Sequence, residues 1–310
     1  MSDSQSARHP FAMVLAIVVG ISPLAAVMVW AALQIKPGYI EGRELYIKAE
    51  RLRSEGQIDE AITLSRQALG LDQNSADAHC TLGLALATRD EIEQAMTHFV
   101  LAQRIKPDHP VANYNIGYIL HRQGRLQEAR RHYENTLAVA RGHAEAHNNL
   151  AMLLSGEEAL DHFQAAVRLK PDYFEGHYNL ANALGAMGRI DEAIKHYQKA
   201  TEIDPHAHQP QFMLALIFTA SADPAYKNPQ AAVKHAARAA QLTNHRDAAV
   251  LNVLAAAQVS AGQLDEAVIS AEQALAIAQK AEQVELARQI EMQLQLYRKR
   301  QADEGGAMLP

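Results

Sequence analysis

The stretch from His177 to Pro205, HYNLANALGAMGRIDEAIKHYQKATEIDP, decides the fold. It reads as one helix-turn-helix unit. Leu180, Leu184, Ile194 and Tyr197 supply an apolar stripe at helical spacing, and small Ala181 faces small Ala193 and Ala200 where two helices cross closely. Pro205 stops the second helix, because the residue before a proline is pushed out of helical backbone. One such unit cannot bury both of its faces, so neighbours must stack on it.

The pattern recurs from Gly42 to Ala281. The alanine that opens each second helix stands at Ala61, Ala95, Ala129, Ala159, Ala193, Ala232 and Ala267, at spacings of 34, 34, 30, 34, 39 and 35 residues. Columns independent of that marker keep its register. Small residues stand twelve before it at Ala49, Gly83, Gly117, Ala181 and Ala255, and seven after it at Ala68, Ala102, Ala166, Ala200, Ala239 and Ala274. Aromatics follow it at Phe99, Tyr133, Phe163 and Tyr197, and prolines at Pro107, Pro171 and Pro205. This small-small-aromatic-proline pattern resembles the tetratricopeptide repeat family. The resemblance implies an all-α, right-handed superhelical solenoid of about seven helix-turn-helix repeats, over 42–75, 76–109, 110–143, 144–173, 174–207, 208–247 and 248–281.

Departures from the pattern are informative. The first repeat has Ser65 in place of the aromatic and Gln73 in place of the proline, and the last two have Ala236 and Ala271 at the aromatic place, as end repeats often do. The fourth is four residues short, so Ser155-Gly156 runs directly into Glu157-Glu158-Ala159 and about one helical turn is lost. The sixth is long, and Ser221 to Pro229 is expected to be an extended loop. Beyond the repeats, 282–300 places Val284, Leu286, Ala287, Ile290, Leu294 and Tyr297 on roughly one face. That segment reads as a capping helix, with a frayed tail over 301–310.

Ahead of the repeats, a polar tail over 1–10 leads into Phe11–Leu33, which carries no charged side chain. At ~1.5 Å of rise per residue a helix of that length exceeds the ~30 Å apolar slab of a bilayer, so it reads as a transmembrane anchor. A short linker over 34–41 joins it to the repeats. A cleaved signal peptide is the alternative, although its best cleavage site, Val29-Trp30-Ala31, has a bulky middle; a buried helix is another. Arg8 favours an inside N-terminus, while Lys36, Arg43, Lys48, Arg51 and Arg53 pull the opposite way. With those five discounted as part of a folding helix, the expectation is a single-pass membrane protein. Its soluble body would be periplasmic or otherwise extracytoplasmic, with the cytoplasmic side left open.

The 310 residues, 48% hydrophobic and 21% charged, are enough to bury a sizeable core. The net charge of −6 is spread along the chain without a basic stripe, so nucleic acid is not an expected partner. The lone Cys80 excludes an intramolecular disulfide framework and a Cys-rich metal site. Among the histidines, only His143 and His147 have the spacing to share a helical face as ligands, while His79, His147 and His177 fill one repeat column as packing or capping residues. No metal or cofactor is expected. The chain shows no Gly-rich phosphate loop, no G-x-S-x-G elbow and no plausible Cys-His nucleophile. Too few residues remain outside the anchor, repeats and cap for a catalytic domain, so the chain does not read as an enzyme.

The family resemblance also implies that the first helix of each repeat lines a concave groove. The matching positions are Val111, Tyr114, Asn115, Tyr118 and His121 in the third repeat, Glu145, Asn148, Asn149, Met152 and Ser155 in the fourth, and Glu175, Tyr178, Asn179, Asn182 and Gly185 in the fifth. Asn115, Asn149 and Asn179 then form a ladder. It is similar to the asparagine array of the repeat arm of O-linked N-acetylglucosamine transferases, where amides hold the backbone of an extended peptide. An amide suits that task because it offers a donor and an acceptor together. The alternatives are that the asparagines only solvate the groove and that Tyr114, Tyr118 and Tyr178 only pack between repeats. The reading is a membrane-anchored scaffold, held by Phe11–Leu33, whose groove binds an extended segment of a partner protein. A substrate-recruiting or assembly subunit of a separately encoded enzyme, of glycosyltransferase or cytochrome-maturation type, is the second reading. A homo-oligomer formed through convex faces or end repeats is the third.

Overall fold

The computed structural model describes residues 38–221 and 223–306. Those residues form fifteen α-helices and one short 3-10 turn, with no strand among them. The described residues divide into two compact units, with the break between Arg141 and Gly142.

In the first unit, α1 (Tyr39–Ser54), α2 (Ile58–Leu71), α3 (Ala76–Thr88), α4 (Ile92–Ile105), α5 (Pro110–Arg122) and α6 (Leu126–Val139) pack as successive hairpins. Each hairpin leans on the next through α2 against α3 and α4 against α5. In the second unit the hairpins are α7 (Ala144–Ala151) with α8 (Gly156–Leu169), α9 (Phe174–Ala186) with α10 (Ile190–Ile203), α11 (His208–Ala220) with α12 (Pro229–Leu242), and α13 (Ala248–Ser260) with α14 (Leu264–Lys280). A last helix, α15 (Val284–Gly306), packs on α13 and α14.

The helices begin where the sequence supplies acceptors for their orphan N–H groups. Ser75 Oγ accepts from Ala78 N, Asn228 Oδ1 from Ala231 N, and Asp247 Oδ1 from both Ala249 and Val250 N. His109 and His143 cap α5 and α7, their Nδ1 atoms accepting from Ala112 N and Ala146 N. Pro110 and Pro229 occupy first-turn positions, where a missing N–H costs nothing.

The small columns set the distance between paired helices. Ala49, Ala61, Ala95, Ala129, Ala181, Ala193, Ala255 and Ala267 are all fully buried. Gly83 lies under the ring of Phe99 and Gly117 under that of Tyr133, so the aromatic column fills the room the small column leaves. Where a polar residue enters these columns it bonds back to its own helix. Buried Ser65 donates to Ala61 O at 2.8 Å and buried Thr136 to His132 O at 2.9 Å.

In the second unit Phe163, Leu160, Leu180, Leu184, Tyr197 and Leu214 form one core cluster. A second is rich in alanine and is closed by Ile290 and Leu294 of α15. The helix α15 continues to Gly306, past the point where a frayed tail was expected. The long sixth repeat is not wholly extended between its helices: a 3-10 turn over Pro224–Tyr226 folds it back, and Tyr226 OH donates to Asp191 Oδ2 at 3.1 Å.

The localisation expected from hydropathy requires correction. The stretch Phe11–Leu33 lies outside the described residues, and no helix among the described residues is long and apolar enough to cross a membrane. Apolar helices such as α11 and α13 have 13 residues each, which gives only ~20 Å of length against the ~30 Å of a bilayer core. A single-pass membrane protein is therefore not supported.

Candidate functional site

The shortened fourth repeat creates the site. The first helices α3, α5, α9, α11 and α13 each have 13 residues, whereas α7 has eight. The chain leaves α7 through a turn in which Leu153 N donates to Leu150 O at 2.9 Å and Leu154 N to Ala151 O at 3.1 Å. Gly156, with φ of +63°, then turns it sharply into α8. The five residues that separate 8 from 13 would add ~7.5 Å of helix. Where that turn is missing, an open cleft of about 380 Å³ lies against α9. Met152, Leu154, Phe163, Ala183 and Ala186 line it with apolar surface, and Asn179 and Asn182 bring two amides to it.

Those amides are oriented by their neighbours. Asn179 Nδ2 donates to Asn148 Oδ1 at 3.0 Å, and Asn148 Nδ2 in turn donates to Asn149 Oδ1 at 3.1 Å. Asn148 is only 2% exposed, so it acts as the buried anchor of this chain of amides. The Tyr197 hydroxyl donates to Asn182 Oδ1 at 2.6 Å. Burial pushes the Tyr197 phenol well above its ordinary pKa, with nearby Tyr178 adding to the effect, so the hydroxyl stays a donor. No hydrogen bond among the described residues engages Asn179 Oδ1 or Asn182 Nδ2. One acceptor and one donor thus stand a turn apart on α9, beside the apolar cleft.

The other anticipated groove residues are distributed around this centre. Tyr178 is half-buried, stacked on Phe174 with ring centroids 6.2 Å apart and tilted against Tyr197 at 6.0 Å. Met152 is 52% exposed at the mouth of the cleft. Glu145 bonds Lys170 Nζ at 2.9 Å; burial pushes its carboxyl up, but the hydrogen bond from Lys170 helps to hold it below its ordinary pKa. Glu175 is exposed on the first turn of α9.

In the first unit, Tyr114 and Tyr118 stack at 6.5 Å, His121 meets the Tyr133 ring edge-on at 6.2 Å, and Asn115 Nδ2 donates back to Val111 O at 2.8 Å. The structure brings Asn148, Asn149, Asn179 and Asn182 together within the second unit, while Asn115 belongs to the first. Sequence reasoning did not find Leu154, Phe163, Ala183, Ala186 and Met187 as cleft residues. The signal for them was the missing turn of the fourth repeat.

One constellation, Cys80 with His109 and Asp77, has the residue types of a nucleophile site but a buried thiol. Cys80 Sγ lies 3.5 Å from His109 Nδ1, and His109 Nε2 lies 3.0 Å from Asp77 Oδ1. The thiol is 4% exposed, and burial, followed by the charge of Asp77, pushes its pKa up to about 12. The imidazole is also committed to capping α5. A thiol so far above neutrality supplies almost no thiolate. Among the described residues no group of three or more metal-ligating side chains converges.

Comparison with known proteins agrees with the helical hairpins. Three protein-family models, described as tetratricopeptide or TPR repeats, match residues 174–207, residues 49–90 and 157–188, and residues 114–147. The chain therefore carries tetratricopeptide repeats, and the matching models indicate no catalytic family. No curated protein sequence matches.

Among solved structures, that of Pseudomonas aeruginosa pilF superposes with a TM-score of 0.59 at 19% identity, covering 67% of this chain and 94% of that one. A MamA fragment from Desulfovibrio magneticus RS-1 gives 0.44 at 23% identity over 53% of this chain and 95% of that one. YrrB, described as a TPR protein with an unusual peptide-binding site, gives 0.41 at 22% identity over 52% of this chain and 85% of that one. The likeness to pilF is one of fold alone.

Proposed function

We propose that this chain is a protein-interaction scaffold whose second unit holds an extended segment of a partner protein in the cleft between α7, α8 and α9. The observation that carries this reading is the pair of unengaged amide groups, Asn179 Oδ1 and Asn182 Nδ2, beside the apolar cleft. In an extended chain the N–H and C=O of one residue point to the same side. Asn179 Oδ1 accepts that N–H and Asn182 Nδ2 donates to that C=O, while an apolar side chain of the same segment enters among Met152, Phe163 and Ala186. Backbone contacts of this kind give affinity, and the pocket gives selection for an apolar residue. Asn148, Asn149 and Tyr178 position the two amides, and Glu145 and Glu175 edge the surface with negative charge. Tyr114, Asn115, Tyr118 and His121 offer an aromatic surface on the first unit.

Photo-crosslinking amino acids placed at Met152 and Ala186 test the reading without touching the amides, with Glu202, exposed on α10, as control. The expected result is capture of a discrete partner from Met152 and Ala186 but not from Glu202, reduced about fivefold or more by Asn179→Ala or Asn182→Ala, since a charge-neutral hydrogen bond left unmade costs about 1–3 kcal/mol. Equal capture from all three positions, or capture indifferent to both asparagine variants, would count against the cleft.

A further inference from the structure

Five internal repeats place a polar residue of the first helix against a histidine of the second, and in three of them both partners are histidine. His79 and His98 meet Nδ1 to Nδ1 at 3.0 Å, His147 and His162 at 2.8 Å, and His177 and His196 at 2.9 Å. The ring centroids are 5.2, 5.0 and 5.1 Å apart. In the other two repeats an amide replaces the first histidine: Asn113 Oδ1 lies 3.1 Å from His132 Nδ1, and Gln211 Oε1 lies 2.7 Å from His235 Nδ1.

The surrounding bonds determine where the protons sit. His79 Nε2 lies 3.2 Å from the Gln73 carbonyl and His177 Nε2 lies 3.1 Å from the Pro171 carbonyl. A carbonyl only accepts, so Nε2 of each carries the hydrogen and its Nδ1 presents a lone pair. The partner, His98 or His196, then donates from Nδ1. Asn113 makes the same two bonds with an amide, its Nδ2 donating to the Pro107 carbonyl at 2.8 Å and its Oδ1 facing His132.

We propose that the face-to-face pairs His79–His98 and His177–His196 are an acid-sensitive latch between the two helices of their repeats. A pair tolerates one excess proton, taken up on the donor ring at Nε2, because the Nδ1–H···Nδ1 bond survives. A second proton has only the acceptor's Nδ1 left, and it sets two N–H groups and two positive charges against each other. An amide–histidine pair has no such limit, since its histidine takes its proton while still donating to the amide oxygen. The latch is independent of what the cleft binds.

The electrostatic surroundings disfavour a positive charge on either ring. Burial pushes His79 below the ordinary imidazole value, with the Gln73 carbonyl opposing, and burial together with His79 and Arg66 of α2 brings His98 down to about 4. Burial also lowers His177, with Lys199 adding and the Pro171 carbonyl opposing, and lowers His196, with His177 adding and Glu192 opposing. The sign follows from linkage. A histidine whose folded pKa is depressed leaves the unfolded chain binding more protons from about pH 6.5 downward, so stability is complete above that value and is lost as pH falls.

The test uses the full chain and the variant His79→Asn/His177→Asn, which copies the pairing of Asn113. Urea unfolding is followed from pH 7.5 to pH 5. Each excluded proton raises the unfolding constant about tenfold per pH unit. Between pH 6 and pH 5, the logarithm of that constant, summed over all transitions, should therefore steepen by about two more per pH unit in the unaltered chain than in the variant. Equal slopes would overturn the latch. If the variant does not fold at pH 7.5, imidazole NMR on the unaltered chain decides. His79 and His177 in the Nε2–H form and still neutral at pH 5 support the proposal, and titration of both near pH 6.5 removes it.

Discussion

Gly83 and Gly70 lie in neighbouring repeats of one unit and are expected to respond to the same substitution in opposite directions. A Cβ on Gly83 would stand 2.7 Å from Phe99 Cε1, and Phe99 is fully buried, so its ring has nowhere to swing. Overpacking of about 1–3 kcal/mol then outweighs the gain of about 1 kcal/mol from replacing glycine in a helix. Gly83→Ala is expected to destabilise the first unit by about 1 kcal/mol. A Cβ on Gly70, in the last turn of α2, meets nothing within 4 Å. Gly70→Ala is therefore expected to stabilise by about 0.5–1 kcal/mol, through restriction of the unfolded chain and better helix propensity. Urea midpoints that shift the same way for both variants would contradict this account of the small-residue column.

At the scale of elements, the eight-residue α7 against the 13-residue α9 is the irregularity that matters, because what α7 fails to cover is the cleft. Ala186 is exposed on the last turn of α9 and lines that cleft, so a larger side chain there fills it from the solvent side. Ala186→Trp is expected to alter stability by no more than about 0.5 kcal/mol, as surface changes usually do, while crosslinking through Met152 falls about tenfold or more. Unchanged capture would show that the occupant does not use the cleft. The helix pairs were legible in the sequence because the distance between two helices is encoded locally, in columns such as Ala181 with Ala193 and Gly83 with Phe99. The missing turn after Met152 was legible too, but its consequence was not: a cleft made by absent residues has no residue pattern of its own. The asparagines were visible as a column, whereas the bond from Asn179 to Asn148 depends on which faces of α7 and α9 meet. The histidine column His79, His147 and His177 was likewise visible, and its partners His98, His162 and His196 became apparent only once the paired helices were in place.

Across the whole molecule, hydropathy alone misled where packing did not. The long uncharged run near the N-terminus suggested a single transmembrane anchor for a soluble body, yet no described helix has the length and apolarity to cross a bilayer. Stacked repeats are stabilised largely between neighbours, so an end must be closed by a face that accepts solvent. In the second unit α15 performs that closure. Ile290 and Leu294 are buried against the alanine-rich cluster of α13 and α14, whereas Val284, Met292 and Leu296 face outward. Truncation after Ala281 removes Ile290 and Leu294 from that cluster. Ile290→Ala removes a fully buried side chain at a cost of about 2–5 kcal/mol. Because coupling in a stack passes mainly between neighbours, the loss should appear first at the C-terminal end. Hydrogen exchange is expected to show protection falling most in α13 and α14, less in α11 and α12, and little in α9 and α10. Uniform loss across α7 to α14 would mean that the unit unfolds as one cooperative block and that the cap's effect reaches the cleft.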